Sequence, residues 1–123
     1  MYPEAYKYTN DHEWILVEGG QGKIGITDYA QKQLGDIVFL DLPETGKTVA
    51  KGDVLGSIES VKAVSEVFSP VSGEVVAVNT ELAGQPESVN KDPHASWMVV
   101  VKLSNPAELG DLLDAAAYGE LAK

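Results

Sequence analysis

The side chains able to do chemistry in this 123-residue chain are His12, His94, a surplus of carboxylates, the lysines and the hydroxyls; cysteine and arginine are absent. Covalent hydrolysis needs a nucleophile beside an oriented base, and neither histidine stands in a nucleophile motif. Without cysteine there is no disulfide, no thiolate metal site and no thiolate nucleophile, so any redox chemistry falls to a cofactor. Zinc would want His or Cys ligands at short spacing, which the chain lacks. Gly19-Gly20-Gln21-Gly22 lies between two apolar runs and reads as a hairpin turn, not a phosphate-cradling loop. What remains is paired carboxylates, Glu59 with Glu66 and Asp11 with Glu13, which could do acid-base work. In a chain with 19 Asp plus Glu such pairs arise by chance, and a solvated face is the simpler reading.

The elements that would position these residues centre on Val54 to Asn79, a stretch dense in valine whose turn residues gather in Ser69-Pro70-Val71-Ser72-Gly73. It predicts strand, tip, strand, turn, strand. Val61 and Lys62 fall at the tip of the first hairpin, with Glu59 and Glu66 on its arms. No Asn-Gly or Asp-Gly supports a tight turn there, and a surface lysine is ordinarily a solvated charge.

Taken in order, Lys7-Tyr8-Thr9 is a short extended piece, and His12 to Val17 pairs with Lys23 to Ile26 as a first hairpin. Thr27 can cap a helix from Asp28 to Leu34, with Gly35 just beyond its end. Asp36 to Leu42 has strand length and is closed by Pro43, and a short strand lies within Glu44 to Asp53. Thr80 to Asn90 reads as loop with at most a turn of helix. Trp97 to Leu103 is the last strand. Asn105, Pro106 and Glu108 then predict a helix start, and Leu109, Leu112, Leu113 and Ala116 its apolar face, with Asp114 able to restart a second turn. The fold class expected is mainly β, one domain over 1–123, with a short early helix and a C-terminal helix outside the sheets.

The formal net charge is −10. Such a surface repels phosphate backbones and anionic lipid, so nucleic-acid and membrane roles are disfavoured. It suits a small protein that docks briefly onto several basic clefts, because steering speeds association without tight binding. The opening residues carry no signal or transit pattern and no run reaches membrane-spanning length, so a bacterial cytoplasmic protein or a processed organellar one is expected. Composition and spacing stop at an acidic, β-rich domain.

Gly56-Ser57-Ile58-Glu59-Ser60-Val61-Lys62-Ala63 followed by Ser69-Pro70-Val71-Ser72-Gly73-Glu74-Val75 closely resembles the lipoyl-attachment region of the glycine cleavage H-protein family. Tyr8-Thr9 with His12-Glu13-Trp14, Gly25-Ile26-Thr27-Asp28-Tyr29-Ala30-Gln31 with Leu34-Gly35-Asp36, Leu42-Pro43 with Gly46, and Leu112-Leu113-Asp114-Ala115 with Tyr118 resemble the family in the same order. The likeness runs from about Tyr8 to Leu121.

That resemblance implies a flattened barrel-sandwich hybrid of two antiparallel sheets, with lipoic acid amidated onto Lys62 at an exposed hairpin and Glu59 and Ser60 in the attachment motif. It implies a non-catalytic carrier that shuttles an aminomethyl group and reducing equivalents. The partners would be a PLP-dependent glycine decarboxylase, a folate-dependent aminomethyltransferase, a dihydrolipoyl dehydrogenase and the lipoate-attaching enzymes. A monomer is expected, and PLP, folate, FAD and NAD belong to the partners. The family's cleft for the loaded arm maps onto Glu13, Glu66 and Asp11, with Glu13 as the main contact, because carboxylates hold a cation by charge-assisted hydrogen bonds. Two places depart from the pattern: Pro93-His94-Ala95-Ser96-Trp97 is one residue shorter than the usual segment and lacks its glycines, and Val64 replaces a smaller or polar residue. A biotin carrier would flank its lysine with Met, and a 2-oxo-acid dehydrogenase domain would place Asp before it. An H-like lipoate donor in a relay, or an unmodified interaction module, stays open.

Overall fold

The structure, a computed structural model, describes Tyr2 to Ala122. Among these described residues nine strands form two antiparallel sheets. Strands β1 (Lys7–Tyr8), β2 (Glu13–Glu18), β3 (Gln21–Ile26), β5 (Thr48–Val49), β8 (Gly73–Val78) and β9 (Val99–Leu103) make the larger, in the order β1-β2-β3-β9-β8-β5. The smaller is β4 (Ile37–Asp41), β6 (Val54–Ser60) and β7 (Val64–Phe68), in the order β4-β6-β7. Neither sheet closes on itself. The expected mainly β architecture of two antiparallel sheets stands.

Alternation decides which face each strand buries. In β6, Leu55, Ile58 and Ser60 are buried and Glu59 is exposed; in β7, Val67 is buried while Val64 and Glu66 are exposed. These inward residues meet Ile15, Ile24, Val75, Val99 and Val101 of the larger sheet to make the main core. A second cluster, Tyr8, Trp14 and Tyr118, ties the N-terminal strands to the C-terminal segment, with the rings of Tyr8 and Tyr118 stacked at 4.7 Å.

Helix α1 (Asp28–Leu34) forms where Thr27 predicts it: the threonine hydroxyl accepts from the Ala30 amide at 3.2 Å, and Gly35 follows at φ 81°. Thr80 to Asn90 holds more helix than expected, as single turns α2 (Thr80–Gly84) and α3 (Ser88–Lys91). The C-terminal segment also differs. A 3-10 helix covers Pro106–Asp111, Leu112 is extended, and α4 (Ala115–Leu121) begins at the Asp114 cap. Leu109, Leu112, Leu113 and Ala116 therefore do not share one helical face. Two tertiary interactions outcompete the local signal. Leu113 exchanges backbone hydrogen bonds with Tyr8 at 2.8 and 2.9 Å, and the Glu108 carboxylate accepts from the amide and hydroxyl of Ser72 at 2.7 and 2.8 Å rather than turning back to close a capping box.

The smaller sheet allows little play. A Cβ on Gly56 would stand inside the carbonyl oxygen of Asp41, on the neighbouring strand β4. Gly56→Ala is expected to push β4 from β6 and cost on the order of 2–3 kcal/mol, read as a lowered urea midpoint with unchanged slope; an unchanged midpoint would contradict the close approach.

Candidate functional site

Lys62 is the middle residue of the three-residue turn Val61-Lys62-Ala63 between β6 and β7. The turn lacks a glycine, and its chemistry comes from Ser60 instead. The buried Ser60 hydroxyl accepts from the amides of Lys62 at 3.3 Å and Ala63 at 3.1 Å, while the Ser60 amide donates to the Ala63 carbonyl at 2.8 Å. From outside the hairpin, the carbonyl of Asp36 accepts from the Val61 amide at 3.0 Å. The Lys62 side chain leaves this fixed turn into solvent and enters no ion pair among the described residues. A Cβ on Gly35 would stand 3.4 Å from the Lys62 Cε, so the lysine stem passes over the end of α1.

The junction from α1 to β4 is held by Asn90. Its Nδ2 donates to the Gln31 Oε1 and the Gly35 carbonyl, both at 2.9 Å, and its Oδ1 accepts from the Ile37 amide at 2.9 Å. Asp36, which holds the hairpin tip, thus sits between two residues that one side chain grips. Sequence reasoning missed Asn90, reading it as the end of a loop. No local signal could have found it, because its partners lie 53 to 59 residues away.

Glu13 is 2% exposed, at the start of β2. One carboxylate oxygen accepts from the Thr9 hydroxyl at 2.6 Å and the other from the Phe68 amide at 3.2 Å. No cation pairs with it among the described residues; Lys51, which lines the same cleft, is bound to Asp111 at 3.1 Å. Burial pushes the Glu13 carboxyl up to about 7, against the pull of its two hydrogen bonds, with Asp11 adding a smaller repulsion. The cleft holds about 240 Å³ and is walled by Thr9, Asp11, Glu13, Lys51 and Phe68 among others.

The three carboxylates singled out from the sequence are not brought to one place. Asp11 and Glu13 line this cleft, whereas Glu66 lines a separate groove with Asp41 and Ser57 on the outer face of the smaller sheet. Glu59 and Glu66 share that outer face on neighbouring strands but stand in different rows, Glu59 opposite Val64 and Glu66 opposite Ser57. No group of three His, Asp or Glu among the described residues is arranged to hold a metal ion. No helix among them is long and apolar enough to cross a membrane.

The segment 93–97 folds against the body. The carbonyls of Pro93 and His94 accept from the Trp14 indole at 3.1 Å and the Tyr6 hydroxyl at 2.6 Å, and the Ser96 hydroxyl meets the Asp92 carbonyl at 2.7 Å. Trp14 is core, as strand packing predicts.

A family model described as glycine cleavage H-protein matches residues 6–123. The chain belongs to the glycine cleavage H-protein family. It is 61% identical over 121 residues to a glycine cleavage system H protein of Koribacter versatilis, covering 98% of this chain and 94% of that one. It is 56% identical over 122 residues to a probable glycine cleavage system H protein of Pyrococcus furiosus, covering 98% and 91%. The crystal structure of a glycine cleavage system H protein from Mycobacterium marinum superposes with a TM-score of 0.89 at 39% identity, covering 97% of each chain. As a member of the glycine cleavage H-protein family the chain is a lipoyl carrier, not a catalyst, which accounts for the missing catalytic constellation.

Because the Glu13 carboxyl titrates near 7 in the fold and near 4.5 when unfolded, the fold holds its proton more tightly than the unfolded chain does. Its contribution to stability is full below pH 4.5 and is lost as the pH rises through 7. Glu13→Gln is expected to flatten the fall in unfolding free energy between pH 5 and 8 by on the order of 2–3 kcal/mol relative to the parent. Urea titrations across that range check it, and parallel pH profiles for the two proteins would show that Glu13 ionises normally.

Proposed function

We propose that Lys62 is the attachment point for lipoic acid and that the chain carries it among the enzymes of glycine cleavage. The observation that carries this reading is the exposed Lys62 on a turn braced from both sides, within the string that matches the family's attachment region. The group fits the residues present: an amine with no ion partner among the described residues is available for an amide bond, and amidation removes a charge that none of those residues pairs with. Held on Lys62, lipoic acid would supply a dithiolane able to carry an aminomethyl group and a pair of reducing equivalents, while Ser60 and Asp36 would hold the root of the arm.

The chain's own work is presentation. Ser60 and Asp36 hold the tip rigid, so the motion of the arm begins at the Lys62 Cβ and not in the backbone. Family membership carries with it the PLP-dependent decarboxylase, the folate-dependent aminomethyltransferase and the dihydrolipoyl dehydrogenase as partners, with lipoate-attaching enzymes upstream. Glu13 is the group of this chain that would receive an ammonium. A cation entering the cleft would restore the ionised carboxylate that burial disfavours, and Asp11 would add a second negative charge at its edge. Glu66 faces elsewhere and would meet partners rather than the returned arm.

Intact mass after expression with lipoate and an attaching enzyme should show one lipoyl increment in the parent and none in Lys62→Arg; no increment in the parent would leave an unmodified interaction module. Fully lipoylated protein should support glycine-dependent exchange of carbon dioxide with purified decarboxylase, and absence of exchange would leave the lipoate-donor role. In Glu13→Gln the loaded protein should release formaldehyde several-fold faster, and an unchanged rate would remove Glu13 from the cleft's task.

A further inference from the structure

The cleft that holds Glu13 also holds a cation that does not pair with it. Lys51 is the one basic side chain among the described residues that wall this cleft, and Glu13 is a buried carboxylate without a positive partner. The lysine ammonium lies instead 3.1 Å from the largely exposed carboxylate of Asp111. An exposed ion pair adds at most about 1 kcal/mol, so stability gives little reason for this one. Both of its ends are nonetheless set by one anchor. The Lys51 amide donates to the Ser72 hydroxyl oxygen at 2.9 Å, and Ser72 donates through its amide and hydroxyl to Glu108 of the 3-10 helix that ends in Asp111. The chain on either side of Lys51 is held too, by the Gly52 amide on the Ser69 carbonyl at 2.8 Å and the Ala50 amide on the Asp53 carboxylate at 2.9 Å.

The titratable groups that share the cleft with Glu13 are Asp11 from the loop before β2, Tyr8 of β1, whose phenol burial keeps neutral, Lys51 from the β5–β6 loop and Asp111 from the end of the 3-10 helix. Lys51 alone among them is positive. A lysine is a compact charge on a flexible four-carbon stem, able to sweep the wall from which it springs. Seated on Glu13, it would stabilise the ionised carboxylate and take the acceptor that a second ammonium would need, while repelling that ammonium. Paired with Asp111, it keeps its water and leaves Glu13 to the influence of burial, the Thr9 hydroxyl, the Phe68 amide and Asp11. We propose that Asp111 is a positioning residue for the loaded arm: it holds Lys51 aside, so that the Glu13 cleft is kept for the arm's ammonium and is not filled by the chain's own lysine. This deepens the reading of Glu13 as the arm's acceptor and rests on it.

The first readout needs no lipoyl group. The ionisation of Glu13 is followed in the unlipoylated chain by the carbon-13 resonance of its side-chain carboxyl through a pH titration. In Asp111→Asn it should ionise at least about one pH unit lower than in the parent, because the freed Lys51 pairs with it. Losing the Asp111 charge lowers it slightly by itself, so the double variant Asp111→Asn with Lys51→Met is the control, and its titration should lie close to the parent's. Lys51→Met alone should leave Glu13 unmoved. Both sites are exposed, and thermal midpoints measured alongside check that the fold is kept. The second readout is formaldehyde release from the lipoylated, aminomethyl-loaded proteins, expected several-fold faster in Asp111→Asn and back at the parent's rate in the double variant. A Glu13 titration unchanged in Asp111→Asn, or lowered equally in the double variant, would overturn the proposal whatever the arm does. Release that quickens in Glu13→Gln but not in Asp111→Asn would overturn it alone. Release unchanged in both would overturn the reading of Glu13 as the arm's acceptor and this proposal with it.

Discussion

The structure turns on how the tip of a hairpin is kept from moving. A three-residue turn without glycine is a weak element in isolation, and a hairpin alone is marginal in water. Here the Val61 amide is held by the Asp36 carbonyl, and Asp36 is bracketed by the Gly35 carbonyl and Ile37 amide that Asn90 binds together. The Ser60 hydroxyl and the Asp36 carbonyl grip backbone amides of the turn and not the Lys62 side chain, so the grip is indifferent to what is attached to Lys62. A carrier whose appendage changes charge and bulk at each visit requires such indifference.

A different logic governs Glu13. Most charges of the described residues are solvated, while this one is shut between the Thr9 hydroxyl and the Phe68 amide with no paired cation among the described residues. Its two hydrogen bonds orient it and only partly offset the loss of water, so it is poised between protonation states at neutral pH. Desolvation without a partner is costly in a structural carboxylate and useful in one that awaits a cation.

How much of this could be read from the letters depended on where the deciding partner lies. Helix α1 was legible because Thr27 and Asp28 act on its first turn and Gly35 on its last, all within or next to the helix itself. The β6–β7 hairpin was legible from its density of valine, and the sparse turn signal at Val61-Lys62 left out the Ser60 hydroxyl that supplies it. Leu109 to Ala116 misled because its helical spacing is real, but Tyr8 and Ser72, far away in sequence, claim Leu113 and Glu108 for other bonds. In the site, Lys62 was visible through resemblance alone. Nothing local separates it from any other exposed lysine, nor distinguishes Glu13, which is buried, from Glu66, which is not.

The last strand of the chain, β9, lies in the middle of the larger sheet, between β3 and β8. During synthesis the chain therefore waits on Val99–Leu103 before either half of that sheet finds its neighbour, and β3 and β8 keep open edges until then. The β4-β6-β7 unit has no such wait, since its pairings close within about 30 residues of each other in sequence, and local pairings form first. The part of the molecule that presents Lys62 can thus gain its shape while the remainder of the chain is still being assembled around it.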